Sequence, residues 1–288
     1  MENWKRIKAF RRGLIATVPR FPNDKASLKA MQAKSLTDLI ITYIGWRVRY
    51  VAQRQRKVVG LANLAGDPRA AALKPNIDAF VKAVEAGSDL TPYLSLAPHG
   101  HGYTPVADPK AGGTNMWADK DFLLNVMGLH HFHLGLTMEA AGHAARTNEV
   151  LFASVTRDEL EILGLFDHAA FEHLSDGTMT PERVKLWQAY EARHVAGLLP
   201  GQLIMGGFAN LGITASSQPV AVVRTAQQHV RRMREMDPKL DDPAYLATLY
   251  QGFGVPTKPK LHWCYRHLDF GLYDEPANWF GLLERGPN

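Results

Sequence analysis

The chain has 288 residues, 46% of them hydrophobic and 21% charged, with one cysteine and a net charge of +5. These are globular values, enough to bury a sizeable core in one large domain or two. A single cysteine, Cys264, excludes an internal disulfide framework and a cysteine-based zinc site.

The N-terminus carries no apolar core of signal-peptide length. No apolar run reaches the roughly 18 residues that span a membrane. A cytoplasmic protein with no membrane partner is the expectation. The charge is polarised. Residues 1–60 hold fourteen Lys or Arg against three Asp or Glu, a net of +11, and the remainder nets −6. A basic arm is a common footprint of nucleic-acid binding, and equally of a solvated face that pairs with acidic partners.

Residues 1–34 read as a basic arm broken by the Pro-containing stretch at 18–23, with some helix after Asn23. Ser35 to Asp38 resembles a capping box and opens a buried helix over the apolar run Leu39 to Trp46. Arg47, Arg49, Arg54, Arg56 and Lys57 follow, interleaved with Trp46 and Tyr50. Such a stretch can track a phosphate backbone and stack on bases, or simply close a helix with cations. Pro75 to Ala86 is an amphipathic helix with the stripe Ile77, Phe80, Val81 and Val84. Residues 97–117 are rich in Gly and Pro and read as a loop or linker, with His99 and His101 exposed on it. Asp119 to Met127 is a short helix.

Leu129 to Gly135 places three of the chain's twelve histidines, His130, His131 and His133, in four positions. In an extended segment His131 and His133 share one face. Two imidazoles there can act as acid and base, hold a metal, or be hydrogen-bonded members of a half-buried strand. Glu149 to Thr156 and Glu159 to Leu165 are β-rich and flank the turn-like Arg157-Asp158, which predicts a hairpin. Phe166-Asp167-His168 ends it, followed by a short helical piece from Ala169 to Leu174.

Further on, Thr180-Pro181-Glu182 starts a helix that Gly197 closes. Gln202 to Phe208 reads as a strand. Ser216-Ser217 precedes a basic helix with the stripe Val223, Ala226, Val230 and Met233, and reads as ordinary capping rather than an anion site. Asp242-Pro243 starts another helix. Lys260 to Asp269 reads as a late strand, and Trp279 to Leu283 as a last one.

The fold class expected is α+β: a helical N-terminal part, then a mainly antiparallel twisted sheet with flanking helices. A provisional boundary near residue 110 separates a basic helical segment, 1–110, from an α+β domain, 111–288, that holds the site. The C-terminal strands are expected to join the same sheet and make one domain.

Between residues 130 and 171 the chain shows His-Leu-Gly, a spacer, an Arg and an acidic residue opening a hydrophobic strand, a tight hairpin, and Asp-His-Ala-Ala-Phe. This pattern resembles RelE-superfamily messenger-RNA interferase toxins, their YafQ branch in particular. It covers about forty residues of the 288. The resemblance implies a small twisted sheet that cuts RNA by acid–base chemistry without a metal. It implies a general acid or base at each of His133 and His168, and an acidic partner at Glu149 or Asp167. It also implies a phosphate contact from Arg146 and an RNA-contacting aromatic at Phe171. A separate inhibitory protein partner is implied too. The family's helical pair ahead of the sheet is not obvious in this sequence at the right distance. His130, His131 and His143 lie outside the pattern.

Two other readings stand beside the ribonuclease. One is a metal-dependent hydrolase in which His131 and His133 supply two ligands and His168, Asp167 or Glu149 a third. The other is a nucleic-acid-binding protein, not an enzyme, whose histidines are structural.

Overall fold

The computed structural model describes residues 1–105, 122–140, 142–172, 174–195, 212, 214 and 218–288. Three helices come first: α1 (Lys5–Thr17), α2 (Lys25–Ala33) and α3 (Leu36–Arg47). The middle of the chain holds β1 (Lys57–Val59), α4 (Pro68–Ala72), α5 (Lys74–Glu85), α6 (Ala97–Gly100), α7 (Phe122–Met127), β2 (Leu129–His133), β3 (Glu149–Val155), β4 (Glu159–Asp167) and α8 (Pro181–Val195). The last part holds α9 (Val220–Met236), α10 (Pro243–Leu249), β5 (Leu261–Arg266), β6 (Asp269–Asp274) and β7 (Trp279–Glu284).

The class is α+β, as the patterning predicts. The chain forms two compact units, Met1–Val48 with His99–Lys120 and Thr214–Pro287, and Arg49–Pro98 with Asp121–Ile213 and Asn288. Each unit draws on both sides of residue 110. Among the described residues no helix is long and apolar enough to cross a membrane. The stretch Gln202 to Phe208, Gly197, the Ser216-Ser217 pair and His173 lie outside the described residues.

The unit that begins with Met1 is built on α1, α3, α9 and a three-stranded sheet. Ser35 caps α3: its Oγ accepts from the Asp38 N–H at 3.1 Å and donates to the Asp38 carboxylate at 2.7 Å. Leu39, Ile40, Tyr43 and Ile44 are then buried, and α3 packs on α1 and α9. On α9 the buried stripe is Val222, Ala226, His229, Met233 and Met236, so Val223 and Val230 only flank it. This small rotation from the predicted stripe brings His229 into the core. The imidazole fits because its Nδ1 shares a 2.7 Å hydrogen bond with the Tyr265 hydroxyl and its ring stacks on Phe270 at 4.3 Å.

The segment 260–269 is not one strand. It turns at His267-Leu268, where His267 has φ of 56°, and runs back as β6. The strands order β5-β6-β7 in a sheet of their own, antiparallel throughout. The expectation that they join the earlier sheet is therefore corrected. Asp274 is fully buried and accepts from the Tyr250 hydroxyl at 2.5 Å and the Lys260 N–H at 2.8 Å, which satisfies its charge inside that sheet.

The other unit holds the four-stranded sheet β1-β4-β3-β2. β2, β3 and β4 are antiparallel neighbours, and the predicted hairpin is β3–β4. β1, three residues at the end of the basic stretch, adds parallel to β4. Helices α4, α5, α6 and α7 lie between β1 and β2 in the chain. Strand alternation splits the apolar residues between two faces. Phe132, Leu151, Ile162 and Leu165 pack with Ile77, Phe80 and Val84 of α5. Leu129, Val150, Phe152 and Phe166 pack with Leu123 and Met127 of α7 and Leu186 of α8. Both faces of the sheet are covered by packed helices.

Candidate active site

The site lies where β2 ends, β3 begins and β4 has just finished. The register pairs His131 with Phe152 and His133 with Val150, which puts both histidines on the face that carries α7 and α8. His131 is half-buried, its ring 5.9 Å from Phe152 and 4.9 Å from Phe171. His133 is buried, with 3% of its surface exposed. His168 opens the 3-10 turn after β4 and is exposed. Its ring lies near parallel to that of His133, centroids 5.9 Å apart and planes at 27°.

His168 Nδ1 lies 2.8 Å from the Asn148 carbonyl oxygen. A carbonyl only accepts, so Nδ1 carries the proton and donates it. Nε2 of this exposed ring is then the atom left to take or give a proton. The Nδ1 of His133 is enclosed and, among the described residues, has no hydrogen-bond partner. Burial pushes His133 down to about 4, and the positive charges available on His131, Arg146, His168 and His143 add to the effect. His133 is therefore neutral at pH 7.

The connection from β2 to β3 brings Arg146 and His143 to the same place. Gly135 makes this possible, since a Cβ there would sit 2.0 Å from the Ala145 carbonyl oxygen. Thr147 ties the two strand ends, its Oγ1 accepting from the Leu134 N–H at 3.3 Å and donating to the Glu149 carbonyl at 2.5 Å. Asn76 of α5 donates to the Leu134 carbonyl at 2.7 Å, and the Ala144 N–H to the Pro92 carbonyl at 2.8 Å. Arg146 is exposed, and its charge acts on His133. His143 Nε2 pairs with the Glu139 carboxylate at 2.8 Å.

The structure thus brings His133, His168, Arg146 and Phe171 together, with His131 and His143 beside them. It does not bring the two acidic residues to the histidines. Glu149 faces Asp167 across the β3–β4 ladder, in the alternation of Leu151 and Leu165, the opposite face from His133 and Val150. Asp167 caps the 3-10 turn by accepting from the Ala169 N–H at 2.8 Å. Among the described residues no carboxylate is bonded to His133 or His168; the Asn148 carbonyl orients His168 instead. Among the described residues no group of three or more His, Cys, Asp or Glu is placed to hold a metal ion.

Arg54, Arg56 and Lys57 stand at the other end of the sheet. Lys57 pairs with Glu159 at the start of β4, and His168 follows its end. Eight residues of strand separate the two ends by roughly 25 Å. Arg56 is buried and donates to the carbonyls of Thr156 at 2.7 Å, Ala52 at 2.8 Å and Arg54 at 3.3 Å. It holds these backbone segments together. Arg49 is buried as well, and Arg47, in the other unit, lies over the Trp46 ring at 5.7 Å. His101, also in that unit, rests on Phe21 at 4.0 Å.

The site residues that the sequence pattern does not reveal are Asn148, Glu139 and His143. Asn148 contributes a backbone carbonyl, which leaves no mark in a sequence. The other two sit in an irregular connection, where periodicity is silent. Comparison of the chain with protein-family models, with curated proteins and with solved structures finds no match.

Proposed function

We propose that this protein is an endoribonuclease that cleaves RNA through its own 2′-hydroxyl, with His133 and His168 as the acid–base pair. The observation that carries the reading is the near-parallel His133–His168 pair beside Arg146 at one end of the sheet. A collection of imidazoles and a guanidinium, without a carboxylate on either central histidine, suits an anionic substrate such as a phosphodiester.

The chemistry divides as follows. His133 is neutral and takes the proton from the 2′-hydroxyl. Its low basicity in the free protein rises when a phosphate anion enters and offsets the surrounding positive charge. The 2′-oxygen attacks phosphorus, and Arg146 balances the charge that develops on the phosphoryl oxygens. His168, fixed through Nδ1, delivers a proton from Nε2 to the departing 5′-oxygen. Phe171, packed against His131, offers a ring to a base.

The resemblance to RelE-superfamily interferases supports the same reading. On this reading the partner is RNA, and a free nuclease of this kind calls for an inhibitory protein partner in its own cell. The chemistry draws on side chains alone, and no cofactor has a role in it. The test is incubation of the purified full-length protein with single-stranded RNA in excess chelator. Cleavage is expected, and it is expected to disappear in both His133→Ala and His168→Ala. Absence of cleavage, or cleavage that survives both changes, would overturn the proposal.

A further inference from the structure

We infer that the start of α8 is a positioning device for the site: Thr180, Glu182 and Arg183, backed by Arg69, fix the short turn that carries His168 and Phe171. Three side chains reach from one helix end to three alternate residues of that turn. The Glu182 carboxylate accepts from the Asp167 N–H at 3.4 Å. The Thr180 hydroxyl donates to the Ala169 carbonyl at 2.6 Å. The Arg183 guanidinium donates to the Phe171 carbonyl at 3.2 Å. His168 is thereby held on both sides through its chain neighbours, while the Asn148 carbonyl holds its ring.

The arrangement goes beyond what a helix start requires. One cap is enough to begin a helix, and Thr180 supplies it by accepting from the Arg183 N–H at 3.2 Å. Thr180, Glu182 and Arg183 are nevertheless all buried, at 6%, 7% and 5% exposed. Charged side chains are seldom so enclosed, because burial removes their water. What they gain is a set of fixed partners. Arg69 of α4 donates to the Glu182 carboxylate at 2.5 Å, to both oxygens of Asp67, and to the Leu165 carbonyl at 2.8 Å near the end of β4. Glu182 therefore ties α4, the end of β4 and the start of α8 into one frame, and the turn from Asp167 to Phe171 is held by it. A 3-10 turn has poor hydrogen-bond geometry of its own, so its shape depends on such outside bonds.

The inference rests on the reading of His168 as the group that protonates the leaving oxygen and of Phe171 as a ring for a base. Proton transfer is sensitive to the placement of the acid, and a displacement of about 1 Å can cost on the order of 10²-fold in rate. Thr180 holds the residue after His168, so it should govern the chemical step. Arg183 holds Phe171, so it should govern binding.

The test uses the full-length protein, single-stranded RNA, and the variants Thr180→Val, Thr180→Ser and Arg183→Met. Thr180→Val is expected to lower kcat by about tenfold or more with KM within about twofold. Thr180→Ser keeps the hydroxyl and is expected to restore kcat. Arg183→Met is expected to raise KM by about tenfold with kcat nearly unchanged. Nitrogen-15 NMR of the histidine rings, with His168 assigned through His168→Asn, is expected to show Nδ1 protonated in the neutral ring of the wild type. In Thr180→Val the proton is expected to shift toward Nε2. Loss of folded protein alone would lower the apparent kcat of both variants and leave KM and the His168 tautomer unchanged, and that result would overturn the inference. If Thr180→Val does not fold, Arg183→Met decides through KM. If the wild-type protein does not cleave RNA, the ribonuclease reading falls, and the His168 tautomer in Thr180→Val alone decides this inference.

Discussion

His168 and Asn148 are joined by a 2.8 Å hydrogen bond between an imidazole Nδ1 and a backbone carbonyl. That contact sets which nitrogen of an exposed histidine is free for chemistry. His168→Asn keeps a donor near the Nδ1 position for the carbonyl and loses the proton-transferring nitrogen. It should lower the RNA cleavage rate by about 10²- to 10⁴-fold with little change in the thermal melting curve.

Arg146 should act on binding and on the transition state together. Arg146→Ala removes an exposed positive charge beside His133. We expect weaker RNA binding, a shallower dependence of affinity on salt by about one unit of log–log slope, and partial recovery in Arg146→Lys. Binding isotherms across a salt series check it. An unchanged slope would remove Arg146 from the phosphate.

The acidic residues should behave differently from the histidines. Glu149→Gln is expected to leave cleavage nearly unchanged, since Glu149 lies on the far face of the ladder from His133. Asp167→Ala should cost about 1 kcal/mol of stability through loss of the cap on Ala169. Asp167→Asn should keep most of that stability. Urea denaturation with a parallel activity assay separates the two effects.

Stability should fall on mild acidification. His133 and His229 are both buried, and burial is the main cause that holds each at about 4, below the ordinary 6.5. A histidine depressed in the folded state favours folding in its neutral form. Its contribution is fully present above 6.5 and is lost as the pH falls from there towards 4. Each shift corresponds to a difference on the order of 3 kcal/mol between folding with the neutral and with the charged ring. Melting temperatures measured from pH 7.5 to 4.5 should drop steadily, and the drop should be smaller in His229→Phe.

The two ends of the sheet should separate by mutation. Lys57→Ala, an exposed change some 25 Å from the histidines, should leave the chemical step intact. Arg56→Ala leaves three carbonyls without their donor and should destabilise the fold by about 2 kcal/mol. Denaturation midpoints and single-turnover rates test both statements.

Much of this architecture is legible in the sequence, for identifiable reasons. The α3 and α5 helices announce themselves through Ser35 and through the spacing of Ile77, Phe80 and Val84, because local capping and one-sided burial use the same residues. The β3–β4 hairpin shows for the same reason. His229 does not: a polar residue in a helical stripe is read as surface unless its partner, Tyr265, can be seen 36 positions away. β1 is only three residues long and looks like the end of a charged stretch. The link from Glu139 to His143 depends on the path of an irregular connection. The placement of Glu149 away from His133 depends on strand register, which a pattern of residue types does not fix.

The central claim is that His133 and His168 transfer protons in cleavage by the RNA 2′-hydroxyl. The most direct measurement uses a DNA oligonucleotide with a single ribonucleotide, incubated with the full-length protein in excess chelator, and identifies the new ends by mass. The account predicts one cut, directly 3′ of the ribonucleotide, leaving a 2′,3′-cyclic phosphate and a 5′-hydroxyl, with no cut in His168→Asn. A 5′-phosphate product, or cleavage of the all-DNA strand at the same rate, would contradict it.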